Sequence, residues 1–372
     1  MKCYIATYYK YDNYGTRLQN YALSKVLKNR NIEPITIYLK ETSNKVNLKK
    51  ILKKIILKLP VITETQKVLL NVEKKDKKFK EFNKKLNLKK FESSQLRNIN
   101  FSYSFCIAGS DQIWSPNHLK NNKEDIDLFF LNFAPKEKRF AYAPSFGVNE
   151  IPNELQEIYI KNLNEFNEIS IREEKGKEII LDLLNINVPI VPDPVFLLTK
   201  EEWQELINCN NLFDIDKPYI LTYFLSRPDE RLINEIKNVC QTNDYCHVNV
   251  SGNHFSELDI IPAPDEFIKL IDKALFVFTD SFHASAFSII MNTNFSVVKR
   301  TDVDQFSRIE TLLNKYKAEE CYIDLNNREK VESLIHKSFC IDYERLLYER
   351  EKGLEYINRI ISKGKGEVID EQ

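Results

Sequence analysis

Glycine is scarce in this chain, with eight in 372 residues, and no glycine-rich loop follows any candidate strand. A tightly held NAD or FAD needs three closely spaced glycines around its pyrophosphate, so that cofactor class is set aside. Net charge is absent as well. The 54 basic and 54 acidic side chains balance, and no global field draws the chain toward nucleic acid. No run of about 18 uncharged apolar residues occurs, which leaves no membrane-spanning segment to expect. The opening stretch MKCYIATYYKYDNYGT is too short and too polar in its apolar part for a signal peptide. The seven cysteines are scattered, and none forms a C-x-x-C pair. Cys240, Cys246 and His247 lie close together, but their spacing matches no tetrahedral zinc pattern; buried thiols near a strand are the plainer reading. These absences lead us to expect a cytosolic protein with no metal and no redox cofactor.

What is present is a 43% apolar chain, long enough for two domains with cores of their own. Short β-rich runs recur: CYIATYY, PITIYL, FCIAG, RFAYAPS, EISIRE, VPIVPDP, YILTYFL, HVNV, LFVFTD and FSVVKR. Helical periodicity lies between many of them. In residues 16–30, Leu18, Tyr21, Ala22, Val26 and Leu27 share one face. Residues 229–241 and 264–273 behave alike. Such alternation predicts parallel sheets with crossover helices. In VPDPVFLLTKEEW two prolines precede a helix start, with Thr199 as cap and Glu202 three residues on. The expected domains are therefore 1–198 and 199–327. Residues 328–372 then form a charged amphipathic helix and tail, expected to cross back onto the first domain. The lysine-rich stretch 44–92 is expected to be a helical insertion in the first domain.

Four polar clusters fall at strand ends, where open α/β sheets bind ligands. In KYDNYGTRLQNYAL, Gly15 would let backbone N–H groups approach an anion at a helix N-terminus. A tight turn capped by Asp12 and Asn13 reads equally well. In FCIAGSDQIWSP, Gly109 ends a buried strand, and Ser110, Asp111, Gln112 and Trp114 follow. An aromatic ring with amide, hydroxyl and carboxylate neighbours suits a sugar; a capped turn with a core tryptophan is the alternative. In ISIREEKG, Arg172 offers a planar fork to a carboxylate or phosphate, unless Glu173 and Glu174 simply pair with it. In TDSFHASAFS, Thr279, Asp280, Ser281 and His283 end a strand buried on both faces and open a helix. A histidine there can hold phosphate or move a proton; the alternative is a structural histidine capping the helix. The helix N-terminus would favour its neutral form.

As an ordered set, DNYGTRLQNYAL, AGSDQIW, YAPSFG, SIREEKG, VPDPVFLLTKEEW, TDSFHASAFSII and FSRIETLL resemble the bacterial polysaccharide pyruvyl transferases, over roughly residues 3–325. Ala284 stands where that family is expected to carry glycine. The resemblance implies a GT-B-like α/β fold, two Rossmann-like domains facing across a cleft. It implies transfer of a pyruvyl group from phosphoenolpyruvate, as co-substrate, to two hydroxyls of one sugar, forming a cyclic ketal. The acceptor would be a sugar or lipid-linked oligosaccharide. His283, Arg172 and Asp111 are the expected catalytic groups. Asp12, which could stand in for Asp111 as base, joins Asn13, Gly15, Gln19, Gly109, Ser110, Gln112, Trp114, Ser281 and Arg308 as expected substrate contacts.

In LKKILKKIILKL, Leu48, Ile51, Leu52, Ile55, Ile56 and Leu59 share a helical face opposite five lysines. Residues 48–59 would thus contact an anionic membrane peripherally; a helix packed on the first domain with its lysines in water is the alternative. Two other functions compete: a glycosyltransferase using a nucleotide-sugar, which needs a ribose carboxylate in the second domain, and a non-catalytic glycan-binding protein.

Overall fold

The computed structural model describes residues 1–9, 12–40, 64–119, 122–208, 215–251, 260–300, 306–326, 329–337, 339 and 341–367. The amphipathic stretch 48–59 lies outside them.

Two parallel sheets organise the chain. The first contains β1 (Lys2–Ala6), β2 (Glu33–Leu39), β3 (Leu88–Phe91), β4 (Ser104–Ala108), β5 (Arg139–Ala141) and β6 (Glu168–Ile169), in the order β3-β2-β1-β4-β5-β6. The second contains β7 (Tyr219–Phe224), β8 (Cys246–Ser251), β9 (Phe276–Thr279) and β10 (Phe295–Val297), in the order β10-β9-β7-β8. Strands β4, β7 and β9 are buried along their whole length, which is why they read as unbroken apolar runs rather than alternations. We number the helices of nine residues or more: α1 (Tyr14–Lys28), α2 (Glu64–Asn83), α3 (Asn153–Leu163), α4 (Glu174–Leu184), α5 (Lys200–Asn208), α6 (Glu230–Thr242), α7 (Pro264–Lys273), α8 (Phe282–Met291), α9 (Phe306–Lys315) and α10 (Tyr343–Lys365).

Strand order reverses between β1 and β4, and again between β7 and β9. At each reversal the connections leave toward opposite sides, so a crevice opens beyond the carboxyl ends of the strands. Both crevices face the same space, because the domains are held together there. Tyr14, first residue of α1, stacks on Phe267 of α7 with ring centroids 4.5 Å apart and planes 8° apart. Its hydroxyl donates to the Pro262 carbonyl at 3.2 Å. Lys78 of α2 pairs with Glu266 of α7. One hydrophobic cluster runs without a break from α1 through the second sheet to α10, while a second fills the other face of the first sheet.

The lysine-rich stretch is partly the regular fold. Residues 64–92 supply the crossover helix α2, with Phe79 and Phe82 fully buried, and the edge strand β3. An edge strand tolerates Lys89 and Lys90 because charge there blocks further strand pairing, and those lysines masked it as insertion. Helix α10 does cross back. Tyr356 Oη donates to Ala141 O at 3.3 Å, Lys138 Nζ donates to Gly364 O at 2.7 Å, and Arg359 and Lys363 both pair with Glu168. Among the described residues no helix is long and apolar enough to cross a membrane.

Candidate functional site

A cavity of about 130 Å³ lies where the two crevices meet. Asn13, Asp111 and Gln112 form the first-domain wall; Leu225, Asp280, Ser281, Phe282 and His283 form the opposite wall; Arg300, Arg308 and Ile309 close the side. Both walls are carboxyl ends of parallel strands followed by helix N-termini, so backbone N–H groups are plentiful and the local potential favours an anion.

On the first wall, Asn13 caps α1 by accepting from Thr16 N at 3.2 Å. Asp111 sits at φ 81°, a left-handed conformation that aspartate tolerates better than most residues. The bend brings Gln112 N to its own Oδ1 at 2.9 Å and places Oδ2 2.6 Å from the Thr16 hydroxyl, which donates to it. Burial pushes this carboxyl up, but Arg172, His283, the Thr16 hydroxyl and the Gln112 N–H outweigh burial and hold it below the usual carboxylate range. Asp111 is therefore ionised at neutral pH.

On the second wall, Ser281 caps α8 and so places His283 in its first turn. The imidazole packs flat against α1: a Cβ on Gly15 would fall 2.0 Å from His283 Nδ1. Only glycine allows the two domains to close this far. Burial lowers the His283 pKa; Asp193 and Asp111 pull it up, and Arg172 and Arg308 oppose them. The net shift is downward, so the ring is neutral at pH 7, with burial the leading cause. Asp280 ties the wall together by accepting from Leu225 N at 2.6 Å, Ser226 N at 2.9 Å and the Ser226 hydroxyl.

Arg308 is held down to about 10, first by burial and then by the neighbouring Arg172, with Glu173 and Asp111 partly offsetting and Arg300 adding to the repulsion. It remains charged at neutral pH. Arginines crowded at one cavity destabilise one another until an anion enters.

The cavity gathers Asn13, Asp111, Gln112, Ser281, His283 and Arg308 of the expected set. Others stand behind its walls. Arg172 has a side chain only 2% exposed; its Nη1 donates to Asp193 Oδ2 at 2.7 Å and its Nε to Glu173 Oε2 at 3.2 Å. The Phe282 ring roofs it, 4.8 Å from the guanidinium carbon. It does not line the cavity, as a direct clamp would require, because two buried carboxylates hold it inward. Ser110 Oγ donates to the same Asp193 oxygen at 2.8 Å. Gln19 is fully buried, with Nε2 donating to Thr7 Oγ1 at 2.8 Å and Thr16 O at 3.1 Å. Gly109 packs against the Thr7 side chain. Asp12 lies 3.8 Å from Arg17 and off the cavity lining, its carboxyl raised by burial.

Trp114 is not a sugar platform. Its indole is fully buried, stacks on Phe130 at 5.8 Å and donates to Phe129 O at 3.1 Å. A strand-end tryptophan three residues past Asp111 points back under the sheet, where the aromatic cluster needed its volume. Missed by sequence reasoning were Arg300, Leu225 and Asp193. Arg300 is the last residue of FSVVKR, one more strand end of the same kind, and could have been found. Asp193 was visible only as part of a proline-rich boundary. The Cys240–His247 group is structural: His247 Nε2 lies 2.9 Å from the Thr222 hydroxyl. Among the described residues no cluster of His, Cys, Asp and Glu is arranged to hold a metal.

Residues 13–302 match the polysaccharide pyruvyl transferase family. No curated protein sequence matches the chain. Among solved structures, the fold is similar to S. aureus MnaA with UDP (12% identity, 100% of this chain and 98% of that one, TM-score 0.51). It is similar also to UDP-N-acetylglucosamine 2-epimerase from Rickettsia bellii (9% identity, 97% and 95%, TM-score 0.51). At such identities the likeness is one of fold: two Rossmann-like domains in a GT-B-like arrangement.

Proposed function

This chain belongs to the polysaccharide pyruvyl transferase family, and on that premise we propose that it moves a pyruvyl group from phosphoenolpyruvate onto two hydroxyls of one sugar in a surface glycan. The observation that carries this reading is the cavity itself: Arg300 and Arg308 beside a helix N-terminus, with His283 and an ionised Asp111 at the same space. A small molecule bearing both a phosphate and a carboxylate is the ligand such a site suits.

The chemistry needs few groups. Phosphoenolpyruvate and a diol give a ketal and phosphate; the two hydroxyl protons are the ones displaced, and the products carry one more hydrogen on the methylene carbon and one on phosphate. Protonation of the methylene carbon makes the central carbon electrophilic, a hydroxyl adds, phosphate leaves, and the second hydroxyl closes the ring. His283 and Asp111 are the lining groups suited to carrying those protons. Arg300 and Arg308 hold the donor's anionic groups, and Arg172 supports the site from behind.

A nucleotide-sugar glycosyltransferase on the same fold is disfavoured. The second domain's strand-end carboxylate, Asp280, already has both oxygens engaged by Leu225 and Ser226, which leaves it poorly placed for ribose hydroxyls. Mass spectrometry of candidate oligosaccharides incubated with phosphoenolpyruvate tests the proposal. A pyruvyl adduct with matching phosphate release supports it. Tight nucleotide-sugar binding without any adduct would replace it by the glycosyltransferase reading. Sedimentation with anionic vesicles tests peripheral membrane contact through residues 48–59; absence of binding removes that expectation.

A further inference from the structure

Behind His283 lies a carboxylate that the chemistry above leaves without a role. Asp193 has a fully buried side chain. Its Oδ1 accepts from Val195 N at 3.1 Å, and its Oδ2 accepts from Arg172 and Ser110. His283 Nε2 lies 3.8 Å from that same Oδ2, buried and without a hydrogen-bond partner. The ring is held on its other side by the Gly15 Cα, with the Phe282 ring edge-on 5.2 Å away. In this position Nε2 points to Asp193 and is buried. His283 lines the cavity, and Nδ1, unlike Nε2, is not among the buried atoms that lack a partner.

We propose that Asp193 is a positioning residue that fixes His283 as the Nε2–H tautomer and so makes Nδ1 the proton acceptor toward the sugar hydroxyl, able to pass a proton to phosphate only after it has taken one from that hydroxyl. A neutral imidazole carries one proton, and a carboxylate facing Nε2 draws it there. The 3.8 Å separation shortens to hydrogen-bond length with a ring movement of about 1 Å, and such catalytic contacts commonly tighten only when substrate is bound. This inference rests on the pyruvyl-transfer reading for the identity of the hydroxyl. In that step the hydroxyl O–H bond breaks and its proton passes to Nδ1. The oxygen's lone pair bonds the central carbon of the donor, whose methylene carbon takes a proton from solvent. When the bond from that carbon to phosphate breaks, its electron pair leaves with phosphate, and the proton on Nδ1 follows to a phosphate oxygen. The transient imidazolium faces Asp193 and Asp111 and is opposed by Arg172 and Arg308.

The test is a long-range ¹⁵N–¹H correlation spectrum of protein labelled at histidine nitrogens, with the His283 signals identified by their loss in His283→Gln. The expected pattern at neutral pH is protonated Nε2 and bare Nδ1. Asp193→Asn should move the proton toward Nδ1 and lower kcat by up to about 10⁴, the loss seen when an amide replaces the orienting carboxylate of a catalytic histidine, with KM for phosphoenolpyruvate little changed. A protonated Nδ1 in the unmodified protein overturns the proposal, as does an Asp193→Asn protein with unaltered tautomer and turnover. Should Asp193→Asn fail to fold, the spectrum of the unmodified protein still decides. That spectrum needs no turnover, so a failed pyruvyl-transfer assay sinks the reaction and leaves the tautomer measurement standing.

Discussion

Gly15 makes the tightest demand of any single residue. Its Cα is the floor on which the His283 imidazole rests, and an added Cβ would overlap the ring. Overpacking of this kind costs about 1–3 kcal/mol, and here it falls on a functional side chain. Gly15→Ala should therefore fold with reduced stability and lose most pyruvyl transfer; normal turnover in a steady-state assay would show that the contact is not needed. A different histidine reports pH. Burial, with Lys237 adding to it, pushes His247 from 6.5 down to about 4. Between those values the unfolded chain binds the proton and the folded one does not, so stability is complete above pH 6.5 and falls as pH drops toward 4. Urea midpoints measured from about pH 7 to about pH 4.5 should fall more steeply for the natural protein than for His247→Gln, whose curve lacks this contribution.

At the scale of elements, α10 shows how packing overrides local preference. Replacing a helical glycine by alanine normally stabilises by up to about 1 kcal/mol. At Gly353 the new Cβ would lie 2.6 Å from Leu197 Cδ2 and 2.7 Å from Tyr142 Oη, a clash worth about 1–3 kcal/mol. The clash outweighs the gain in helix preference, so Gly353→Ala should lower the thermal midpoint; a raised midpoint would mean that α10 does not pack this closely against Leu197 and Tyr142. Strand β3 carries the opposite lesson. Its two lysines are what an exposed sheet edge wants, and they conceal the strand from a reading based on apolar runs.

The whole molecule is a pair of sheets whose crevices meet only because the interface between them is fixed. Phe267 is fully buried in that interface, stacked on Tyr14 and edge-on to Tyr223. Removing a buried phenylalanine costs about 3–5 kcal/mol, and this one joins the domain that carries Asp111 to the one that carries His283. Phe267→Ala should lose stability and raise KM for phosphoenolpyruvate, although no Phe267 atom lines the cavity. Unchanged KM in a protein that still folds would show that the walls are placed by other contacts.

Sequence alone determined the alternation of strands and helices, the existence of two sheets, and the strand-end polar clusters, because burial of a parallel sheet forces apolar runs and its carboxyl ends free the next residues for ligand. It also carried the ordered motifs that tie the chain to its family. Tertiary structure alone decided which polar residues reach the cavity. Arg172 and His283 looked equivalent as strand-end groups, yet two buried carboxylates hold Arg172 behind Phe282, while His283, packed on Gly15, lines the cavity. Trp114 was drawn under the sheet by an aromatic cluster that includes Phe166, far along the chain. Side-chain direction depends on partners distant in the chain, and no local pattern encodes them.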